Sequence, residues 1–386
     1  MLAAPPPLDG IRVVDLTSYI AGSYAAMMLA DMGAAVIKVE SLRGDSFREL
    51  PGFYGWNRGK RSIAVDLKAP EGRAIVERLA AGADVVMENM RPGVAERLGL
   101  GGARLSAINP RLVYCAVTAF GSTGPSAGRP GFDPVLQALA GLMDLQGFGG
   151  PPQYIRIPVT DYYAAALATQ AILAALFVRE RTGRGQRVET SLLHAVFALQ
   201  SGTVVQYPDK PNLRFDNPTY RLYQAADGEW LFLACGNQAF WGKLCAALGL
   251  EPLADDPRFA SWLLRVQNRN ALLPLFIDTF ASKPRAHWLE VLATHDIPAA
   301  PVQPLTTFLD DPAVRHHDLV HDYEHPEVGP LRLMGQPLVF ADTPVRDPGP
   351  PPTLGQHTDA VLEELGYPVG VIADLRRRGV VGGPVT

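Results

Sequence analysis

At 386 residues, 47% apolar and 19% charged, the chain is long enough to bury more than one core and too apolar for intrinsic disorder beyond its ends. The formal net charge of −4 is spread through interspersed acids and bases, without the basic run that a phosphate backbone or an anionic lipid surface requires, so neither nucleic acid nor membrane is expected as a partner. Cys115, Cys235 and Cys245 have neither an even count nor metal-like spacing, which suits free thiols in the reducing cytoplasm.

In chain order, Met1 to Pro7 lacks the charged start and apolar run of an export signal. Ile11 to Leu16 reads as a strand, Gly22 to Met32 as a helix and Ala35 to Glu40 as a second strand, a βαβ unit. Ser62 to Asp66 is a third strand. Pro70 and Gly82 bracket a helix over Glu71 to Ala81. Strands over Asp84 to Met87 and Leu112 to Thr118 make a sheet of at least five strands, and another strand is expected at Gln186 to Thr190. Between them a helix rich in Ala and Leu runs from Asp161 to about Arg181. Its apolar stretch, Ala164 to Val178, is 15 residues long, short of the roughly 20 that a membrane span needs, and reads as a buried helix. Residues 1–206 are thus the first part of a large domain and 207–218 a linker. A hairpin, Tyr220 to Ala226 and Trp230 to Ala234 about Asp227-Gly228, opens a smaller α+β domain over 219–323. Helices are expected at Gln238 to Leu248, Asn268 to Phe280 and Arg285 to Thr294, and residues 324–386 return with short strands and a helical end at Thr358 to Gly366.

Several motifs bear on chemistry. Ala21, Gly22 and Ser23 make a small-residue turn at a helix N-terminus suited to an anion, but the three spaced glycines of a dinucleotide site and a Walker lysine are both missing. His316, His317, His321 and His325 lack paired carboxylates and a dependable helix near Pro326, so a surface cluster is expected rather than a metal site. Cys115 falls inside a strand, where a buried inert thiol is the usual outcome. From spacing alone Asp161 is a helix cap at the start of a long apolar helix.

Longer blocks carry a resemblance. PLDGIRVVDLT (7–17), LADMGAAVIKVE (29–40), NRGKRS (57–62), DLK (66–68), ENMRPG (88–93), RTGRGQ (181–186) and LGQHT (354–358) together resemble the class III CoA-transferases, formyl-CoA transferase-like enzymes in a superfamily shared with α-methylacyl-CoA racemase. The resemblance implies an α/β fold with a Rossmann-like large domain built from both chain ends, a small inserted domain and an interlocked homodimer. It implies an acyl-CoA donor and a carboxylate acceptor, with coenzyme A thioester as substrate, no permanently bound cofactor and no metal.

The same resemblance makes Asp161 the nucleophile, passing through an acyl-aspartyl anhydride and an aspartyl-CoA thioester. It lines the CoA site with Val65, Lys68, Asn89, Met90, Arg91, Arg97 and Leu98, the three cations suiting phosphates. Ile20 stands where some members carry a glutamine and Ser23 where a proline is usual. The polar contact is therefore expected from Tyr162 or the loop Gly147 to Gly150. Tyr154 and Arg156 are candidates to bind an acceptor carboxylate. Phe132 stands at the racemase base, and a phenylalanine cannot take a proton, so transfer is favoured over racemisation. A non-catalytic CoA-binding protein and an oxidoreductase remain alternatives on fold alone.

Overall fold

The computed structural model describes residues 4–147, 150–208, 217–345 and 347–384; most of the linker expected at 207–218, and the middle of the loop 147–150, lie outside them. The chain opens with β1 (Arg12–Asp15), α1 (Ala21–Asp31), β2 (Ala35–Glu40), α2 (Pro51–Trp56) and β3 (Lys60–Val65). Next come α3 (Pro70–Ala81), β4 (Val85–Glu88), α4 (Val94–Arg97), α5 (Gly102–Ile108) and β5 (Val113–Thr118). Then follow α6 (Asp133–Leu139), α7 (Leu142–Gln146), α8 (Val159–Thr182), β6 (Arg187–Ser191) and α9 (Leu192–Leu199).

These strands form a seven-stranded sheet in the order β12-β3-β2-β1-β4-β5-β6, where β12 (Val381–Gly382) is a late edge strand antiparallel to β3 and every other pairing is parallel. Strands buried on both faces read as continuous apolar runs, and Val113–Thr118 is buried throughout. One core lies between the sheet and α1, α8 and α9; a second lies on the other face, where Ile75, Val76 and Leu79 of α3 meet Leu105, Val361 and Leu375.

Helix α8 differs from expectation. It is 24 residues long and contains an 18-residue window of mean hydropathy 1.4, so by length and composition it could cross a membrane, which the 15-residue stretch had argued against. Nor is it buried all round. Ala164, Ala165, Ala168, Ile172 and Ala175 pack into the core, while Phe177 on the opposite face is 60% exposed and Val178 on the flank 42%.

The chain divides into two compact units. The second comprises Asp144–Pro152 and Gln206–Pro312. It holds β7 (Tyr220–Gln224), β8 (Trp230–Ala234), α10 (Gln238–Ala247), α11 (Trp262–Gln267), α12 (Arg269–Phe280), α13 (Arg285–Thr294), β9 (Ala299–Pro301) and α14 (Leu305–Leu309). Its sheet is antiparallel in the order β7-β8-β9 over a core that includes Trp241, Phe276 and Phe280. The first unit resumes at Ala313, earlier than the 324 read from sequence, because α15 (Pro312–His316) leads into a hairpin of β10 (Val320–His325) and β11 (Gly329–Met334). Then α16 (Thr358–Glu364), α17 (Val369–Arg377) and β12 finish the first sheet.

Candidate active site

In a doubly wound sheet the crevice forms beyond the carboxyl ends of the strands where their order reverses, here between β1 and β4. A cavity of about 560 Å³ lies there. Its wall is built from the turn after β1 (Tyr19, Ile20, Ala21), the turn after β4 (Asn89, Met90, Arg91, Pro92), the end of β5 and the segment leading into α6, with Asp161 among them.

Asp161 occupies the first turn of α8, where the helix dipole favours an anion. Pro158 offers that helix no side-chain cap. The cap comes instead from α6: buried Asp133 accepts the Thr160 N–H at 2.7 Å and the Asp161 N–H at 3.3 Å on one oxygen, and Gln137 Nε2 at 2.5 Å on the other. Burial, and then the Asp133 charge, push the Asp161 carboxyl up to about 7, opposing the dipole.

Below the cavity lies a buried charge cluster. In-register pairing sets Asp15 of β1 opposite Lys38 of β2, and Lys38 opposite Ser62 of β3. Lys60 Nζ reaches Asp15 Oδ2 at 2.8 Å, the Ser23 carbonyl at 2.8 Å and Asn57 Oδ1 at 2.9 Å. Lys38 Nζ donates to the Thr17 carbonyl at 2.9 Å and pairs with Asp45 Oδ2 at 3.2 Å. Burial works against the Lys38 charge, but Asp15, Asp45 and Glu40 outweigh it and hold its pKa above the ordinary value. Burial also pulls Lys60 down to about 8, because Asp15 only partly offsets it and Lys38 repels it. The cluster grips both ends of the turn 17–23, in which Gly22 lies so close to Thr17 that a Cβ would sit 2.5 Å from its side chain. Tyr19 there has φ +64°, a costly backbone for a bulky residue, and its ring meets Phe47 and Phe132 edge-on at 4.9 and 5.6 Å.

A family model described as CoA-transferase family III matches residues 8–358. The chain belongs to that family. Succinyl-CoA:glutarate CoA-transferase of Mus musculus is 36% identical over 394 residues, 97% of this chain and 90% of the mouse protein. Succinyl-CoA:mesaconate CoA-transferase of Haloarcula hispanica is 36% identical over 390 residues, 94% of this chain and 97% of its own. The crystal structure of a CaiB/BaiF family protein from Brucella suis superposes with a TM-score of 0.82 at 36% identity, covering 94% of this chain and all of that one. The protein is an enzyme, a CoA-transferase acting on coenzyme A thioesters.

Within this family III CoA-transferase, the cavity gathers Ile20, Asn89, Met90, Arg91, Phe132, Tyr154, Arg156 and Asp161 from the residues singled out by sequence. Tyr162 is not on its wall; its hydroxyl accepts the indole N–H of Trp56, a lining residue, at 3.2 Å. Lys68, Arg97 and Leu98 lie outside the cavity, and the Val65 side chain is buried in the core. Asn89 has a further task, since its amide accepts the Ser18 N–H at 2.9 Å and donates to the Ser18 carbonyl at 2.6 Å. Cys115 is buried in β5, its thiol pushed up to about 12 by burial. Sequence reading missed the roles of Asp133 and Gln137. The available signal was an i, i+4 acid–amide pair opening a short helix.

Proposed function

We propose that this CoA-transferase moves CoA between dicarboxylic acids and that Asp161 is its covalent nucleophile. The observation carrying this reading is that, among the described residues, the cavity has two carboxylates and only one is uncommitted. Both oxygens of Asp133 are engaged, whereas the Asp161 carboxylate accepts no hydrogen bond among the described residues. The dicarboxylic class is supported by the succinate, glutarate and mesaconate in the relatives' names.

Ionised Asp161 attacks the donor thioester carbonyl; the C–S bond breaks, leaving an acyl-aspartyl anhydride and CoA thiolate. The thiolate then attacks the aspartyl carbonyl, releasing the donor acid and forming an aspartyl-CoA thioester. The acceptor carboxylate attacks that thioester and expels the thiolate, which takes the acceptor's acyl carbon and restores Asp161. A carboxylate costly to ionise is the more basic nucleophile once ionised. We assign Arg91 at the cavity, with Lys68 and Arg97 beyond it, to the CoA phosphates, and Val65 and Leu98 to apolar contact with CoA. The interlocked homodimer is supported by the exposed Phe177, Val178 and Phe197. We assign the enzyme to the cytoplasm. Racemisation is disfavoured because Phe132 is on the wall and no histidine is there among the described residues.

Mass spectrometry after incubation with succinyl-CoA and hydroxylamine trapping tests the nucleophile. A modification confined to the Asp161 peptide is expected. An unmodified Asp161, with solvent exchange at the α-carbon of a 2-methylacyl-CoA, would sink the reading. Because the anion reacts and its carboxyl titrates at about 7, kcat/KM is expected to rise with pH and level off above that value. Asp133→Asn removes the neighbouring charge and weakens the α8 cap. It is expected to lower kcat/KM by about 10- to 100-fold and to move this limb to lower pH, measured as a pH–rate profile.

A further inference from the structure

Among the described residues Asp161 shares its cavity with three guanidinium groups, Arg91, Arg129 and Arg156, none with a carboxylate partner; Arg91 is assigned above to CoA, which leaves Arg129 and Arg156. Both side chains are exposed, yet both are carried on fixed backbone. The Arg129 guanidinium lies 5.3 Å from the centroid of the buried Phe120 ring. Two residues on, Gly131 packs so tightly that a Cβ would fall 2.7 Å from the Ala119 side chain. Arg156 follows Ile155, whose N–H and carbonyl are both held by the Gln137 amide, at 3.3 and 3.0 Å. Gln137 donates to Asp133, the carboxylate that caps the helix of Asp161. One hub therefore fixes the reacting carboxylate and the segment bearing Arg156, while the packing of Gly131 anchors the segment bearing Arg129.

Two cations in a small-molecule cavity with largely apolar walls call for an anion there. The CoA phosphates are already assigned to Lys68, Arg97 and Arg91, the last of which also borders a neighbouring pocket that Arg129 and Arg156 do not line, and the pantetheine arm separates those phosphates from the sulfur that must meet Asp161. The substrate carboxylate that reacts is spoken for by the chemistry itself. A second carboxylate, on the same small acid, has the charge and reach that remain.

We infer that Arg129, together with Arg156, binds the distal carboxylate of the acid substrate and is the specificity-determining residue that turns the enzyme from monocarboxylic to dicarboxylic acids. This rests on the dicarboxylate reading above. An Arg–carboxylate pair is the geometry best suited to the task, two parallel N–H···O bonds on a planar fork.

The test compares glutarate with its monomethyl ester as acceptors, at fixed succinyl-CoA, in the wild type, Arg129→Gln and Arg129→Lys. The two acceptors offer the same reacting carboxylate and differ in the distal charge. The wild type is expected to prefer glutarate by about 100-fold in kcat/KM, Arg129→Gln by less than about 5-fold, and Arg129→Lys by an intermediate ratio. A ratio unchanged in Arg129→Gln, whether or not both rates fall, overturns the inference while leaving the dicarboxylate reading intact. A wild type that prefers the monoester instead overturns that reading and the inference with it. Should Arg129→Gln be inactive with both acids, the Arg129→Lys ratio decides: a value equal to the wild type's overturns the inference, and a smaller one supports it.

Discussion

Asp161→Asn is expected to abolish CoA transfer, by about 10⁴-fold or more, while making the protein more heat-stable at neutral pH. The loss follows because an amide cannot carry the anhydride or the CoA thioester, leaving only substrate binding and positioning. The gain follows from linkage. In the folded protein the carboxyl titrates at about 7, against an ordinary value of 3.8, so the native state holds a proton that the unfolded chain has released. The wild type therefore loses stability as pH rises from about 4 to about 7, and the neutral amide does not. Differential scanning of the two proteins should show Tm values that coincide near pH 4 and separate by about 1–3 °C at pH 8, the variant higher. Equal Tm values at pH 8 would mean that Asp161 is not held against its charge.

Lys60→Met should have the largest effect on the fold. The ammonium is fully buried and supplies bonds to Asp15, Asn57 and the Ser23 carbonyl at once. Removing it leaves Asp15 with only Lys38 as a cationic partner, and breaking a buried pair from one side costs about 3–5 kcal/mol. Urea unfolding should show a lower midpoint with an unchanged slope. The double change Asp15→Leu with Lys60→Met should recover part of the loss, because no charge is then left unpaired within that pair. A midpoint within error of the wild type's would show that the cluster is better hydrated than its burial indicates.

Much of the first unit could be read from sequence because its signals are strong. β-branched runs such as Leu112–Thr118 admit few other readings, and Pro70 with Gly82 brackets α3 to within a residue. The short helices α2, α4, α6 and α7 escaped notice, since one or two turns contain too little apolar periodicity to register. Strand β9 ends in Pro301 and β12 has two residues, so both depend on partners distant in sequence for their existence. The site divides in the same way. Asp161 was visible as an acid opening a long apolar helix, and the resemblance gave it a role. That Asp133 caps that helix, or that Arg129 faces the same cavity, follows only from how α6 packs against α8, which no local pattern encodes.

The edge of the seven-stranded sheet also sets an order of events during synthesis. Val65 and Ala64 of β3 pair with Val381 and Gly382, and the Ala64 N–H also donates to the Thr358 hydroxyl at 3.1 Å. Until those residues leave the ribosome, β3 presents bare backbone N–H and carbonyl groups, the kind of edge that recruits strands from other chains. Most of the second unit, Gln206–Pro312, emerges before that edge can close. A nascent chain stalled before residue 358 would thus be a ready aggregation template and a natural client for chaperones that shield exposed strands.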